Sequence, residues 1–95
     1  MMVVICLSDV ADRFHGFLRS VMLNPHPGVY VAMDLDVASR DRIWRILEGW
    51  WKSEQRGMGV LIFRNNEKIG NFEIKNFGAT KREVIEYDGV YALKR

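Results

Sequence analysis

A single cysteine, Cys6, rules out a disulfide framework, and its place inside the apolar run Met2–Leu7 gives it the expected role of a small buried hydrophobe. That scarcity favours an intracellular site. No apolar run approaches the ~20 residues a membrane helix needs. Met1–Leu7 is too short for a signal-peptide core and has no basic start, so the cytoplasm is the expected location, with no membrane partner. The two histidines, His15 and His26, have no cysteine, histidine or serine at a spacing suited to zinc or to a catalytic triad. A Gly-rich phosphate loop and a GxSxG motif are both missing, which excludes the chemistry that each supports. Repeats, low-complexity tracts and linkers are missing too. Neither sign of charge dominates: 14 Lys+Arg against 12 Asp+Glu leave a net +2, which excludes a polycationic tail but allows a local basic patch.

What is present reads as one domain over residues 1–95, with 48% apolar and 27% charged residues, as in an ordinary globular protein. A chain this short buries a modest core, so oligomerisation is expected. Met2–Leu7 is continuously apolar and rich in β-branched residues, the pattern of a strand covered on both faces. From Val10 the spacing becomes helical, with Phe14, Phe17, Leu18, Val21 and Met22 on one stripe and His15 and Arg19 on an exposed flank. Gly16 weakens that helix unless a close neighbour requires it. Asn24-Pro-His-Pro-Gly28 is a break, since each proline lacks an amide donor. A short strand at Val29–Met33 and a helix over Val37–Glu54 follow.

The long helix carries Ile43, Leu47, Trp50 and Trp51 on its apolar stripe, Trp44 and Ile46 on the borders, and Arg40, Arg42, Arg45 and Lys52 on the remaining face. Trp50 and Trp51 are too divergent to face one core together, so one of them is expected to meet a partner. Met58–Phe63 is a central strand, Asn65–Lys68 a hairpin loop, and Gly70–Phe77 the next strand, leaving the sheet at Gly78 before Lys81 and Arg82. Val84–Ile85, an Asp88-Gly89 turn and Val90–Leu93 complete the chain. The expected fold is α+β: a ferredoxin-like sandwich, two helices on one face of a mainly antiparallel sheet, with short C-terminal strands. Strict ferredoxin-like order needs a hairpin before the second helix. With only Asp34-Leu-Asp36 available there, that hairpin is expected to be missing or vestigial.

Asp9 stands where the first strand hands over to the first helix. A carboxylate there serves as an N-cap or as a Mg²⁺ ligand, and a two-fold dimer would bring a second copy to complete the metal site. Asp34 and Asp36 precede a helix and read as capping and dipole compensation. Arg13, Arg19, Arg40, Arg42, Lys81 and Arg82 are candidate phosphate contacts of the kind that position a nucleic acid without reading its sequence.

Four features in this order span nearly the whole chain: Val3–Asp9, an apolar strand ending in an acid; Arg13-Phe-His-Gly16 opening a helix; Pro27-Gly-Val-Tyr-Val31 ahead of a helix with Ile43-Trp44; and Phe72-Glu, Phe77-Gly78, Lys81-Arg82, Asp88-Gly89. In them the sequence resembles the small CRISPR-associated adaptation protein, the second of the two core Cas proteins, in its type I-E form. The resemblance implies a ferredoxin-like homodimer at the centre of an integrase, flanked by two dimers of the catalytic partner, the first core Cas protein, with double-stranded DNA across the middle. It implies Arg13, His15, Lys81 and Arg82 as contacts to the DNA backbone, which Arg19 is expected to join as a candidate phosphate contact, and Val90, Tyr91, Ala92 and Leu93 as the strand that docks the partner. A scaffold of this kind requires no cofactor. Other members of the wider family are described as metal-dependent endonucleases, for which Asp9 would be the catalytic, Mg²⁺-binding position.

Overall fold

The computed structural model describes residues 1–78, 83–87 and 90–94, the last two segments and position 69 as backbone only. Its elements are β1 (Val3–Ser8), α1 (Asp12–Val21), β2 (Leu23–His26), β3 (Val29–Ala32), α2 (Val37–Glu54), β4 (Met58–Arg64), a 3-10 turn (Ile69–Asn71), β5 (Phe72–Gly78), β6 (Glu83–Tyr87) and β7 (Val90–Lys94). Five strands form one antiparallel sheet in the order β2-β3-β1-β4-β5, and β6 pairs with β7 in a separate hairpin. The first six elements follow the βαββαβ order of the ferredoxin-like fold, with β5 added beside β4. Among the described residues, no helix is long and apolar enough to cross a membrane.

The hairpin expected to be missing is present. β2 pairs with β3 through Leu23–Val31 and His26–Val29, with an irregular register between them. All four β2 residues are exposed, so no alternation marks the strand, and Pro25 is tolerated because β2 is a sheet edge. Pro27-Gly28 makes the turn, Gly28 at φ 77° supplying the left-handed second position that a Pro-Gly turn uses. The Asn24 amide braces it by donating to the carbonyls of His26 (2.7 Å) and Val29 (2.8 Å). Residues 24–28 are therefore strand and turn, not a loop between elements.

α2 occupies the expected residues, whereas α1 begins at Asp12, two residues after its periodic pattern starts at Val10. Both helices lie on one face of the sheet. Val3, Ile5 and Leu7 of β1, Leu61 and Phe63 of β4 and Tyr30 of β3 meet Phe14, Leu18, Ile43 and Leu47 in a single core. Trp44, expected at a border, is 4% exposed. It lies 5.0 Å from Phe77, ring centre to ring centre, and Trp51 lies 6.0 Å from the same ring. Trp50 meets Phe14 and Phe17 edge-on at 5.4 and 5.6 Å, so Trp50 and Trp51 both pack on the margin of one core. Helix α2 manages this because the two side chains diverge, one toward α1 and the other toward β5.

The other face of the sheet has no helix over it. Alternate residues of β1 and β4 are buried, while Val4, Cys6, Val60 and Ile62 between them are half-exposed. Among the described residues, the continuous apolar run of β1 is thus covered by helices on one face, not on both.

An alanine Cβ built at Gly16 of α1 would meet nothing within 4 Å, so no neighbouring backbone requires glycine there. Gly16→Ala should therefore stabilise the protein by up to about 1 kcal/mol through helix propensity. A thermal melt that is unchanged or lowered would show that a contact absent from the protomer depends on this glycine.

Candidate nucleic-acid interface

The strand order brings the C-terminal ends of β1, α2 and β5 to one end of the domain, beside the start of α1 and β4. Asp9 sits there in a left-handed conformation (φ 55°), 74% exposed, with Arg56 Nε 3.5 Å from its Oδ1. Gly57 (φ 83°) fits directly against the Asp9 backbone: a Cβ there would lie 2.2 Å from the Asp9 carbonyl oxygen. That contact carries the chain out of α2 and past the β1–α1 corner. Asp9 does not cap α1. The N-cap position belongs to Ala11, which offers no side-chain acceptor. The carboxylate instead faces solvent beside a guanidinium, an exposed pair that contributes about 0.2–1 kcal/mol.

Arg13, on the first turn of α1, reaches Glu54 at the end of α2 (3.3 Å) and lies over the Trp50 ring at 4.6 Å. It remains half-exposed, so one side of the guanidinium is free to meet a phosphate. His15 is half-buried, and its Nδ1 lies 2.7 Å from the hydroxyl of Tyr30. Arg19 stands near the same hydroxyl, acting on it by charge and by hydrogen bonding. The hydrogen bond between the two side chains orients the imidazole on α1. Burial pushes the Tyr30 phenol above its usual range, partly opposed by Arg19.

Other candidates are placed differently. Arg40 is taken up by the fold: both Nε (3.0 Å) and Nη2 (2.9 Å) reach Asp41 Oδ1, and the guanidinium stacks 3.8 Å above the Phe63 ring. Its side chain is 11% exposed, which leaves it unavailable to a phosphate. Arg42 stays exposed on α2. Asp36 takes the N-cap position of α2 without closing a cap hydrogen bond of its own; the Ser39 side chain, and secondarily the Ser39 amide, nevertheless hold its carboxyl below the usual range. Asp34 pairs with the Met1 ammonium at 3.0 Å. Lys81, Arg82 and the Asp88-Gly89 turn lie outside the described residues. β5 delivers the chain toward Lys81 and Arg82 at Gly78, which packs against Gly57 and Met58 at the Asp9 end. Val90–Leu93 belong to β7, paired with β6 from Glu83–Lys94 to Tyr87–Val90, and their side chains lie outside the described ones.

The donor set around Asp9 in one protomer is a single carboxylate already facing Arg56, which does not fit a divalent cation. Among the described residues no three His, Cys, Asp or Glu side chains gather as metal ligands. Sequence reasoning missed Arg56 and Tyr30. Arg56 was visible as a cation just past a helix, but its partner is set by topology; Tyr30 was visible only as an apolar strand residue.

Because folding raises the Tyr30 pKa, the folded state holds that proton more tightly than the unfolded chain. The associated stability is present below the unfolded value near pH 10 and is lost as pH rises through the folded value. In an ultraviolet titration of folded protein, Tyr30→Phe should remove a phenol that ionises later than an ordinary tyrosine and should flatten the alkaline loss of stability. A wild-type titration with every phenol ionising in the ordinary range would contradict this placement.

A family model described as CRISPR-associated protein (Cas_Cas2CT1978) matches residues 2–92. No curated protein matches the chain.

Proposed function

The chain belongs to this CRISPR-associated, Cas2-like family, and we propose that it serves spacer acquisition as a homodimeric, non-catalytic scaffold of the type I-E kind. In this reading it holds the backbone of duplex DNA and bridges two dimers of the catalytic integrase subunit, the first core Cas protein. The observation that carries the dimer is the uncovered sheet face. Val4, Cys6, Val31, Val60, Ile62 and Ile74 line it, all half-exposed, on strands whose pairings place them side by side. An apolar sheet face of this size is poorly suited to water, and a second copy of the same face is self-complementary about a two-fold axis. Arg13, with its half-exposed guanidinium, and the part-exposed His15 support a backbone-holding role for the α1 surface. Arg19, Lys81 and Arg82 join them as proposed DNA contacts, and Val90–Leu93 dock the partner by strand addition.

The pairing of Asp9 with Arg56 supports scaffold over nuclease, since a guanidinium beside the carboxylate competes with any cation. The Mg²⁺-dependent endonuclease reading would need the second Asp9 of the dimer to complete the site.

In a spacer-integration assay with the partner subunit, Lys81→Ala plus Arg82→Ala should cripple DNA capture and flatten the salt dependence of binding by about 2 in log–log slope. Asp9→Ala should integrate at close to the wild-type rate. Normal integration by the double charge variant would sink the scaffold reading, and loss of function confined to Asp9→Ala would favour the nuclease.

The dimer has its own test at Cys6, in the centre of the apolar face. Burial already pushes the Cys6 thiol up, which slows alkylation. As protein concentration rises into the dimer range, maleimide labelling of Cys6 should slow by tenfold or more as the face is covered. A labelling rate independent of concentration, in a sample that light scattering shows to be dimeric, would move the interface elsewhere.

A further inference from the structure

Helix α2 carries a cationic ridge that the reading above does not use. Arg42, Arg45 and Lys52 recur at helical spacing with Gly49 among them, on the face opposite Ile43, Leu47 and Trp51. All four are exposed, as are Ala38 and Ser53 beside them, and a Cβ at Gly49 would meet nothing within 4 Å. Of the acids on this helix, Asp41 is bound to Arg40 and Glu54 to Arg13, while Glu48, half-buried on the flank, falls between Arg45 and Lys52 along the helix. Arg45 and Lys52 have no hydrogen-bond or ion-pair partner among the described residues, and Arg42 acts only at longer range on Asp36.

We propose that this ridge is a second track for a duplex nucleic-acid backbone, formed by residues other than those assigned above. It rests on the reading of the chain as a DNA-binding protein only in taking the same ligand class. Arg42 to Lys52 covers about 15 Å at 1.5 Å per residue, a length over which a duplex presents about nine phosphates. The composition favours phosphate over an acidic protein surface. Protein interface cores are enriched in aromatic residues, methionine and arginine and depleted in lysine, whereas this ridge sets its cations, a lysine among them, beside small side chains with no aromatic residue or methionine. Small residues between cations let a phosphate chain approach the helix closely while the long side chains wrap it from both sides. A duplex held here would lie across the helical layer, on the side of the domain opposite the apolar sheet face, so the track stays open when that face is covered.

The test is fluorescence anisotropy with a labelled DNA duplex, titrated between about 50 and 200 mM salt. Arg42→Gln with Arg45→Gln and Lys52→Gln should flatten the slope of log affinity against log salt by about 2.7, three contacts at about 0.9 each. The loss in affinity at about 50 mM salt should then exceed the loss at about 200 mM by tens of fold, with an unchanged circular-dichroism melt. A charge-matched control, Arg64→Gln with Lys68→Gln and Lys75→Gln, removes three exposed cations from the β4–β5 side and should leave the slope within one unit of wild type. Equal flattening by both triple variants would reduce the effect to net charge and overturn the proposal. A wild-type slope in the α2 variant would overturn it too, as would polyglutamate competing as well as unlabelled duplex. If the α2 variant binds like wild type while Lys81→Ala plus Arg82→Ala does not, the ridge is refuted and the DNA-scaffold reading stands. If the wild-type protein binds no duplex, both fall.

Discussion

Everything in this domain follows from a sheet that is apolar on both faces and has helices for only one of them. β1 and β4 alternate between residues buried under α1 and α2 and residues left half-exposed behind, and both sets are hydrophobic. The buried set organises a single core around Phe14, Leu47 and Phe77, with Trp44 and Trp51 closing over Phe77. The exposed set has no partner within the described residues. A chain of 95 residues buries a modest core, and that second face is the feature on which the proposed dimer rests.

The same layering sorts the charges. Arginines near the helix–sheet boundary find acids: Arg40 settles onto Asp41 and Phe63, Arg13 onto Glu54 and Trp50, Arg56 onto Asp9. Arg45 and Lys52, directed outward, find none among the described residues. A net charge of only +2 thus conceals a described surface on which these arginines are paired at the seams and the ridge cations are not. Potential at a surface depends on that local imbalance more than on the sum.

α2 was legible in full because eighteen residues of helical periodicity leave little choice, and the ferredoxin-like class followed from the alternation of elements. β2 was not legible. An edge strand with four exposed residues and a proline carries no burial pattern, and it is defined only by the neighbour it pairs with. Trp44, Trp50 and Trp51 were recognised as one stripe, but the division of labour among them depended on where Phe77 arrived from β5. At the interface the cations were visible by type. Which of them stay free was not, because Arg40 and Arg42 differ only in what the sheet places beside them.

By itself, the sequence determined the class of fold, the long helix, the strand that ends at Asp9 and the family, since periodicity and motif order are local or collinear properties. The tertiary structure alone decided that β2 completes the hairpin, that Asp9 meets Arg56, that Tyr30 holds His15 and that the two helices cover only one face of an apolar sheet. Those facts depend on residues far apart in the chain meeting at one end or on one face, and no local pattern encodes such a meeting.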